Sequence, residues 1–347
     1  MTAAEDFSFS LTYDMRAPDF GAAPVDLYAA AVEQCAWADA IGFAGVSRLE
    51  HYASVDGYLP SPIVLGSAVA AVTKRMLIRM NVVLLPLYDP VRLAEDLAVL
   101  DLISGGRLRL TVGAGYRPEE YEQFDLDIRR RPSRMEQGVE VLKQAWTGEP
   151  FEFRGHTVRV LPRPAQRPRP EIAMGGSSPA AARRAARIAD DFQPVGARLY
   201  DIYLEELAAL GKPVPEPPRR RGAGGARGGA ARGGAARGGA GGMFFHIAED
   251  PDRAWAQIAP HAMHETNDYA EWAKGMRGSP YSAFETADEL RASGMYEVVT
   301  PDEAVELIRA RGGVSFKPLM GGLDPALGWE SLHLFESKVL PRLRAPS

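Results

Sequence analysis

The stretch Asp101-Leu102-Ile103-Ser104-Gly105-Gly106-Arg107-Leu108-Arg109-Leu110-Thr111-Val112-Gly113-Ala114-Gly115-Tyr116 decides the fold. Leu100 to Ile103 close an apolar-periodic segment, and Gly105-Gly106 supplies the permissive backbone that ends a helix. From Arg107 to Val112, charged and hydroxylic residues alternate with Leu108, Leu110 and Val112, the period-two pattern of a strand with one buried face. Gly113 and Gly115 follow at once and leave space at the carboxyl end of that strand, where a parallel barrel places its ligands. A plain strand-to-loop turn would read the same way in isolation. The recurrence of the arrangement along the chain favours the functional reading.

Outward from this stretch the chain alternates strand and helix. Strands are expected at Phe7 to Tyr13, Phe43 to Leu49, Met76 to Leu85, Arg107 to Val112, Glu171 to Met174, Phe192 to Val195, Met243 to Ile247 and Gly313 to Leu319. Between them lie helical patterns such as Asp26 to Ile41, Pro90 to Ile103 with Asp89 as its cap, and Met135 to Trp146. A hairpin is expected at Phe151 to Val160, a helix broken at Pro260 over Asp252 to Lys274, and a closing amphipathic helix over Pro325 to Leu343. Eight strands with intervening helices over this length argue an α/β fold, a (β/α)8 TIM barrel with insertions; a doubly wound sheet is the second choice.

The chain of 347 residues, 46% hydrophobic, reads as one domain over residues 1–347. The segment 217–242 departs from the pattern. From Arg219 to Gly242 it is nearly all Arg, Gly and Ala, with six arginines and no acid, which leaves the remainder of the chain at −11 against a total of −5. Such a segment has nothing with which to build a core and is expected as a flexible loop before the seventh strand. An RNA-binding reading of its Arg-Gly-Gly repeats lacks the Phe or Tyr that would stack on bases, and the acidic remainder has no nucleic-acid footprint. Cys35, the only cysteine, falls in a helical pattern as a small buried hydrophobe and suits a reducing, cytoplasmic setting. The start lacks the pattern of a signal peptide, and the longest uncharged run, interrupted by Pro60 and Pro62, does not suit a membrane span.

The chemistry candidates cluster at the expected carboxyl ends of strands. His51 follows the second strand beside Glu50, and imidazole moves protons near neutral pH. Asn81-Val82-Val83-Leu84-Leu85-Pro86 brings an apolar wall to the third strand end, suited to a flat aromatic cofactor or to plain core packing. Gly175-Gly176-Ser177-Ser178-Pro179 has glycines, hydroxyls and a helix start, the features of a phosphate site and equally of a simple cap. Gly113-x-Gly115 is not the dinucleotide fingerprint, because no third glycine follows at the needed spacing. His261 and His264 beside Glu265 do not form a zincin motif, and no metal site is expected.

Together these residues resemble the bacterial luciferase-like monooxygenases and their deazaflavin-dependent relatives. The resemblance rests on Leu11-Thr12-Tyr13, Leu49-Glu50-His51, Val83-Leu84-Leu85-Pro86 with Asp89-Pro90-Val91-Arg92, and Leu102 to Arg107 with the Gly113 to Tyr116 loop. It continues through Gly175-Gly176-Ser177 and Gly322-Leu323-Asp324-Pro325 to Val339-Leu340-Pro341. It implies a barrel whose mouth binds reduced FMN, supplied by a flavin reductase, with His51 assisting proton transfer at the reacting flavin edge. It implies a cis peptide at Asn81-Val82 under the central flavin ring, and phosphate-side contacts from Gly113, Ala114, Gly115, Tyr116, Gly175, Gly176 and Ser177. Tyr13 and Tyr116 are expected to line the mouth, and Tyr13, Leu84 and Leu85 the pocket of a small-molecule substrate. Pairing into a homodimer through helices near the second and third strands is also implied. Where the luciferases carry an arginine that pairs with the flavin phosphate, this chain has Ala114. That departure leaves room for deazaflavin coenzyme F420 and a hydride transfer in place of oxygenation. Readings of another class are a non-catalytic flavin-binding protein or an RNA-binding protein.

Overall fold

The computed structural model describes residues 7–215, 244–274 and 282–344. The Arg/Gly/Ala segment read at 217–242 and Met243, the first residue of the expected seventh strand, lie outside them. The strands are β1 (Ser8–Tyr13), β2 (Gly45–Arg48), β3 (Leu77–Val83), β4 (Leu108–Val112), β5 (Phe151–Phe153), β6 (His156–Val158), β7 (Ile172–Gly176), β8 (Asp191–Pro194), β9 (Phe244–Ile247), β10 (Tyr296–Val299) and β11 (Gly313–Phe316). Seven of them form one parallel, curled sheet in the order β11-β1-β2-β3-β4-β7-β8, a TIM-barrel-type architecture. β5 and β6 make the expected antiparallel hairpin.

β9 does not enter that sheet. It pairs in parallel with β10, with Phe244 opposite Tyr296 and Ile247 opposite Val299. The sequence reading missed β10. Four residues, Tyr296-Glu297-Val298-Val299, are too few for a periodic signal, yet they satisfy the backbone groups of β9 that would otherwise seek the sheet.

Local chemistry explains most helix boundaries. Proline, which has no N–H to leave unpaired, opens the helices Pro24–Ile41, Pro62–Val72, Pro90–Ser104, Pro179–Ile188, Pro251–Trp272, Pro301–Arg311 and Pro325–Leu334. Asp89 caps its helix as expected, accepting from the N–H groups of Val91 (3.0 Å) and Arg92 (3.3 Å). Gly105 ends that helix in the left-handed region at φ 64°. Helix Pro251–Trp272 runs unbroken through Pro260, contrary to the expected break. Pro260 lies on the exposed face, where water can satisfy the carbonyl its ring leaves unpaired, while Ile258, Ala259 and Ala262 stay packed beneath. The closing segment divides into Pro325–Leu334, a wider π turn at Phe335–Val339, and Leu340–Arg344.

The sheet has two unlike faces. Tyr13, Arg48, Met80, Leu110 and Ile172 stand side by side in register, all buried. The Tyr13 hydroxyl donates to Gln34 Oε1 (2.9 Å) on helix Pro24–Ile41, so this row faces the helices. One residue earlier, Thr12, Ser47, Arg79 and Arg109 form the inward row, and each is only half-buried. The main core therefore sits between sheet and helices and collects residues from Phe9 to Leu343. Each fully buried Leu or Phe there contributes on the order of 1.5–3 kcal/mol.

Candidate active site

Parallel pairing brings the carboxyl ends of β2, β3, β4 and β7 side by side, with His51, Asn81-Val82, the Gly113 to Tyr116 loop and Gly175 to Ser177 at those ends. His51, three residues beyond β2, is 9% exposed. Its Nδ1 lies 2.6 Å from Oε1 of Glu120, which is fully buried in the short helix Pro118–Glu122. The same Glu120 oxygen accepts the Tyr52 N–H (3.2 Å), and the Arg117 guanidinium stands 4.0 Å away. A carboxylate acceptor at Nδ1 favours the tautomer that carries its proton there and leaves Nε2 as the unprotonated nitrogen. Sequence reasoning missed Glu120. It lies 69 residues from His51, and only the pairing of β2, β3 and β4 brings the two together.

Glu50 ties the second strand end to the third. Its carboxylate accepts the Leu84 N–H (2.7 Å) and the hydroxyl protons of Tyr52 and Tyr88. Burial pushes its carboxyl up to about 7, with the three hydrogen bonds opposing the shift. Just before Leu84, the Asn81–Val82 peptide is cis, at the position the family resemblance implied. The ladder shifts register there, Asn81 standing opposite Thr111 and Val83 opposite Val112.

The glycines beside this bulge accommodate the chain itself. A Cβ on Gly113 would come within 2.7 Å of Val82 Cγ2, and one on Gly175 within 3.2 Å of Val82 Cγ1. A Cβ on Gly176 would meet that of Ala181 at 2.6 Å. Gly115 is different, with φ +69°, a conformation glycine adopts without strain. The hydroxyl of Tyr121 donates to the Ala114 carbonyl and closes this loop. Ser177 is exposed, and Ser178 caps helix Pro179–Ile188 by accepting the Ala181 N–H (3.2 Å).

Three pocket expectations are corrected. Tyr13 turns to the helix side to reach Gln34 and does not line the mouth. Leu85 is 1% exposed and packs against Gly138 of helix Arg131–Ala145, in the main core. Leu84, 2% exposed, is buried in a small cluster with Tyr52, Leu87 and Tyr121. The Tyr116 ring lies 5.7 Å from that of His51.

Sequence reasoning also missed a second group at the mouth. Tyr58, Tyr269 and Trp272 place their rings 4.9, 6.2 and 5.0 Å from that of His51. Behind them Arg16, fully buried, holds Asp56 (2.6 Å) and Asp268 (2.7 Å). His264 Nε2 stands 2.9 Å from Asp56, a bond that raises the imidazole pKa. Asp56, His264 and Asp268 are close enough to share a cation, and the Arg16 guanidinium stands on both carboxylates. His261 instead bonds the Gly321 carbonyl, and Glu265 the Lys317 ammonium.

Comparison with known proteins places this chain in a family. The family model of luciferase-like monooxygenases matches residues 9–313, and the chain belongs to that family. It is 29% identical over 357 residues to the F420-dependent glucose-6-phosphate dehydrogenase of Nakamurella multipartita, covering 96% of each chain. It is 36% identical over 111 residues to the FMNH(2)-dependent dimethylsulfone monooxygenase of Pseudomonas putida, covering 30% of this chain and 31% of that one. In fold it is similar to the oxygenating constituent of 3,6-diketocamphane monooxygenase of Pseudomonas putida, solved with FMN. That likeness has a TM-score of 0.70 at 19% identity and covers 100% of both chains. The chain spans about half the length, 45% and 46%, of two uncharacterized Sinorhizobium fredii relatives. No helix among the described residues is long and apolar enough to cross a membrane.

Proposed function

We propose that this chain is the oxygenating partner of a two-component flavin-dependent monooxygenase, which takes reduced FMN from a separate reductase and oxygenates a small organic substrate. The observation that carries the reading is the His51–Glu120 pair beside the Asn81–Val82 bulge, on adjacent strand ends of a luciferase-like sheet. In this reading Val82 would offer the cofactor an apolar shelf, and the exposed Ser177 hydroxyl with the Gly115 loop, whose φ is +69°, would hold its phosphate side. When bound, reduced flavin would supply the two electrons for placing one atom of molecular oxygen in the substrate and releasing the other, with two protons, as water. His51 holds or delivers a proton at Nε2, and Glu120 fixes its tautomer through Nδ1. Tyr116 borders the substrate.

Ala114 favours a second reading. It offers no guanidinium to a phosphate, and the relative matched over nearly full length is named for F420. In that reading the same His51 serves a hydride transfer with deazaflavin. Anaerobic titration with reduced FMN and with reduced F420, followed by admission of oxygen, separates the two. FMN binding with oxygen uptake supports the monooxygenase; F420 binding without oxygen uptake supports the second reading. If neither cofactor binds, both readings fail. In either case His51→Ala should reduce turnover, and unchanged turnover would remove its assigned role.

The exposed apolar residues Val64 and Val72 on helix Pro62–Val72, with Val99, Leu102 and Ile103 on helix Pro90–Ser104, suit a homodimer contact. Sedimentation at micromolar concentration tests it. Buried, unpaired Cys35 suits a cytoplasmic protein.

A further inference from the structure

Trp272 is the last residue of helix Pro251–Trp272 and the least expected member of the mouth. The Arg16 guanidinium carbon lies 4.5 Å from its ring centroid, and that of Arg117 lies 4.1 Å away. Neither arginine is free to wander. Arg16 is held by Asp56 and Asp268, and it also stands 4.9 Å from the ring centroids of both Tyr58 and Tyr269. Arg117 donates to the carbonyls of Tyr52 (2.8 Å) and Ala53 (3.4 Å), the two residues that follow His51. The indole is thus fixed by two cations that are themselves fixed, one through β1's exit and one through the β2 and β4 loops. It stands 5.0 Å from the His51 ring, centroid to centroid, and the rings of Tyr58, Tyr116 and Tyr269 also pack around the imidazole.

We propose that Trp272 determines which molecules reach His51, covering the imidazole so that slender reactants reach it and bulky, branched ones do not. His51 is 9% exposed, its Nδ1 side is closed by Glu120, and Trp272 lies against its ring. A cover held this rigidly yields less readily to a branched reagent than to a slender one. Trp272 acts on His51 by position and is not assigned to the chemistry. The inference rests on the proposed proton-handling role of His51, but its test does not.

The test is acylation of His51 in the intact chain by slender diethyl pyrocarbonate and by bulky di-tert-butyl dicarbonate, followed by peptide mass. Exposed His156 serves as the internal reference. In the native protein, His51 should discriminate between the two reagents far more strongly than His156. Trp272→Ala should reduce that discrimination by about tenfold or more, as when a local barrier to access is removed. Trp272→Phe, which keeps a flat ring, should restore most of it. Equal discrimination at His51 and His156 in the native protein would overturn the proposal without any variant. So would unchanged discrimination in Trp272→Ala, or its loss in Trp272→Phe with the melting curve preserved. Because the readout needs no cofactor, a protein that binds neither flavin would still report on Trp272, and the functional reading would fail separately.

Discussion

His51 Nδ1 and Glu120 Oε1 lie 2.6 Å apart, although the two residues are 69 positions apart in the chain. A buried carboxylate at that distance orients the imidazole and selects its tautomer. Glu120→Gln keeps the shape and removes the charge. By analogy with other partners that orient a histidine, the rate of oxygen uptake by the reduced-flavin complex should fall roughly 10- to 100-fold. Nitrogen NMR of His51 provides a check without cofactor. The proton should sit on Nδ1 in the native chain, and Glu120→Ala should give a mixture of tautomers; an unchanged tautomer would contradict the pairing.

Glu50 makes stability depend on pH in a stated direction. Its folded pKa of about 7 lies above the ordinary carboxyl value of 4.5, so the folded chain binds more protons between those pH values. Stability should therefore fall as pH rises from about 4.5 to about 7, by up to roughly 3 kcal/mol for a shift of this size. Glu50→Gln should flatten that part of the profile, read from urea unfolding at several pH values. His264 adds to the same slope. Its raised pKa contributes stability that is present below its ordinary value of 6.5 and lost as pH rises through the folded value.

Val82 and Gly113 should behave as a coupled pair. Gly113→Ala drives a methyl to within 2.7 Å of Val82 Cγ2 and should cost about 1–3 kcal/mol of stability. Val82→Ala removes the obstacle, so the double variant should recover part of that loss. A strictly additive double-mutant cycle would show that the contact is not the cause.

Arg107 joins three elements by hydrogen bonds alone. Its guanidinium donates to the carbonyls of Ala70 (2.9 Å), Thr73 (3.0 Å), Met76 (3.0 Å) and Ser104 (2.6 Å), and to the Thr73 hydroxyl (2.8 Å). Arg107→Ala leaves several part-buried carbonyls unpaired and should destabilise the chain by about 2–4 kcal/mol. Arg107→Lys, with one donor centre, should recover little of this. Chemical denaturation measures both.

The local rules were legible where they act over a few residues. Asp89 and Gly105 stand as expected, because capping and left-handed glycine are written within one turn, whereas β4 alternates only as far as Leu110 and buries Thr111 as well. The expected cis Asn81–Val82 peptide came from the resemblance and not from those rules. What the sequence concealed depends on distant parts of the chain. Glu120, Tyr269 and Trp272 meet His51 only after the sheet curls and helix Pro251–Trp272 crosses the mouth, whereas Tyr58 meets it where the loop after β2 folds back and the His51 N–H donates to the Leu59 carbonyl. Tyr13 was misplaced for a related reason. Alternation says that Phe9, Leu11 and Tyr13 share a face, but not whether that face meets the helices or the mouth. β10 was lost because its four residues pair with a strand about fifty positions away.

The inward row of Thr12, Ser47, Arg79 and Arg109 gives the protein an uneven sensitivity to change. Barrels of this type usually fill their centre with branched aliphatic side chains. Here the centre is lined with hydroxyls and guanidinium groups that water still reaches, so cohesion comes from the outer layer, where Tyr13, Arg48, Met80 and Leu110 meet the helices. Substitutions that alter the lining need not loosen the shell. Descendants of such a chain could redesign the interior repeatedly, one residue at a time, while inheriting the same scaffold.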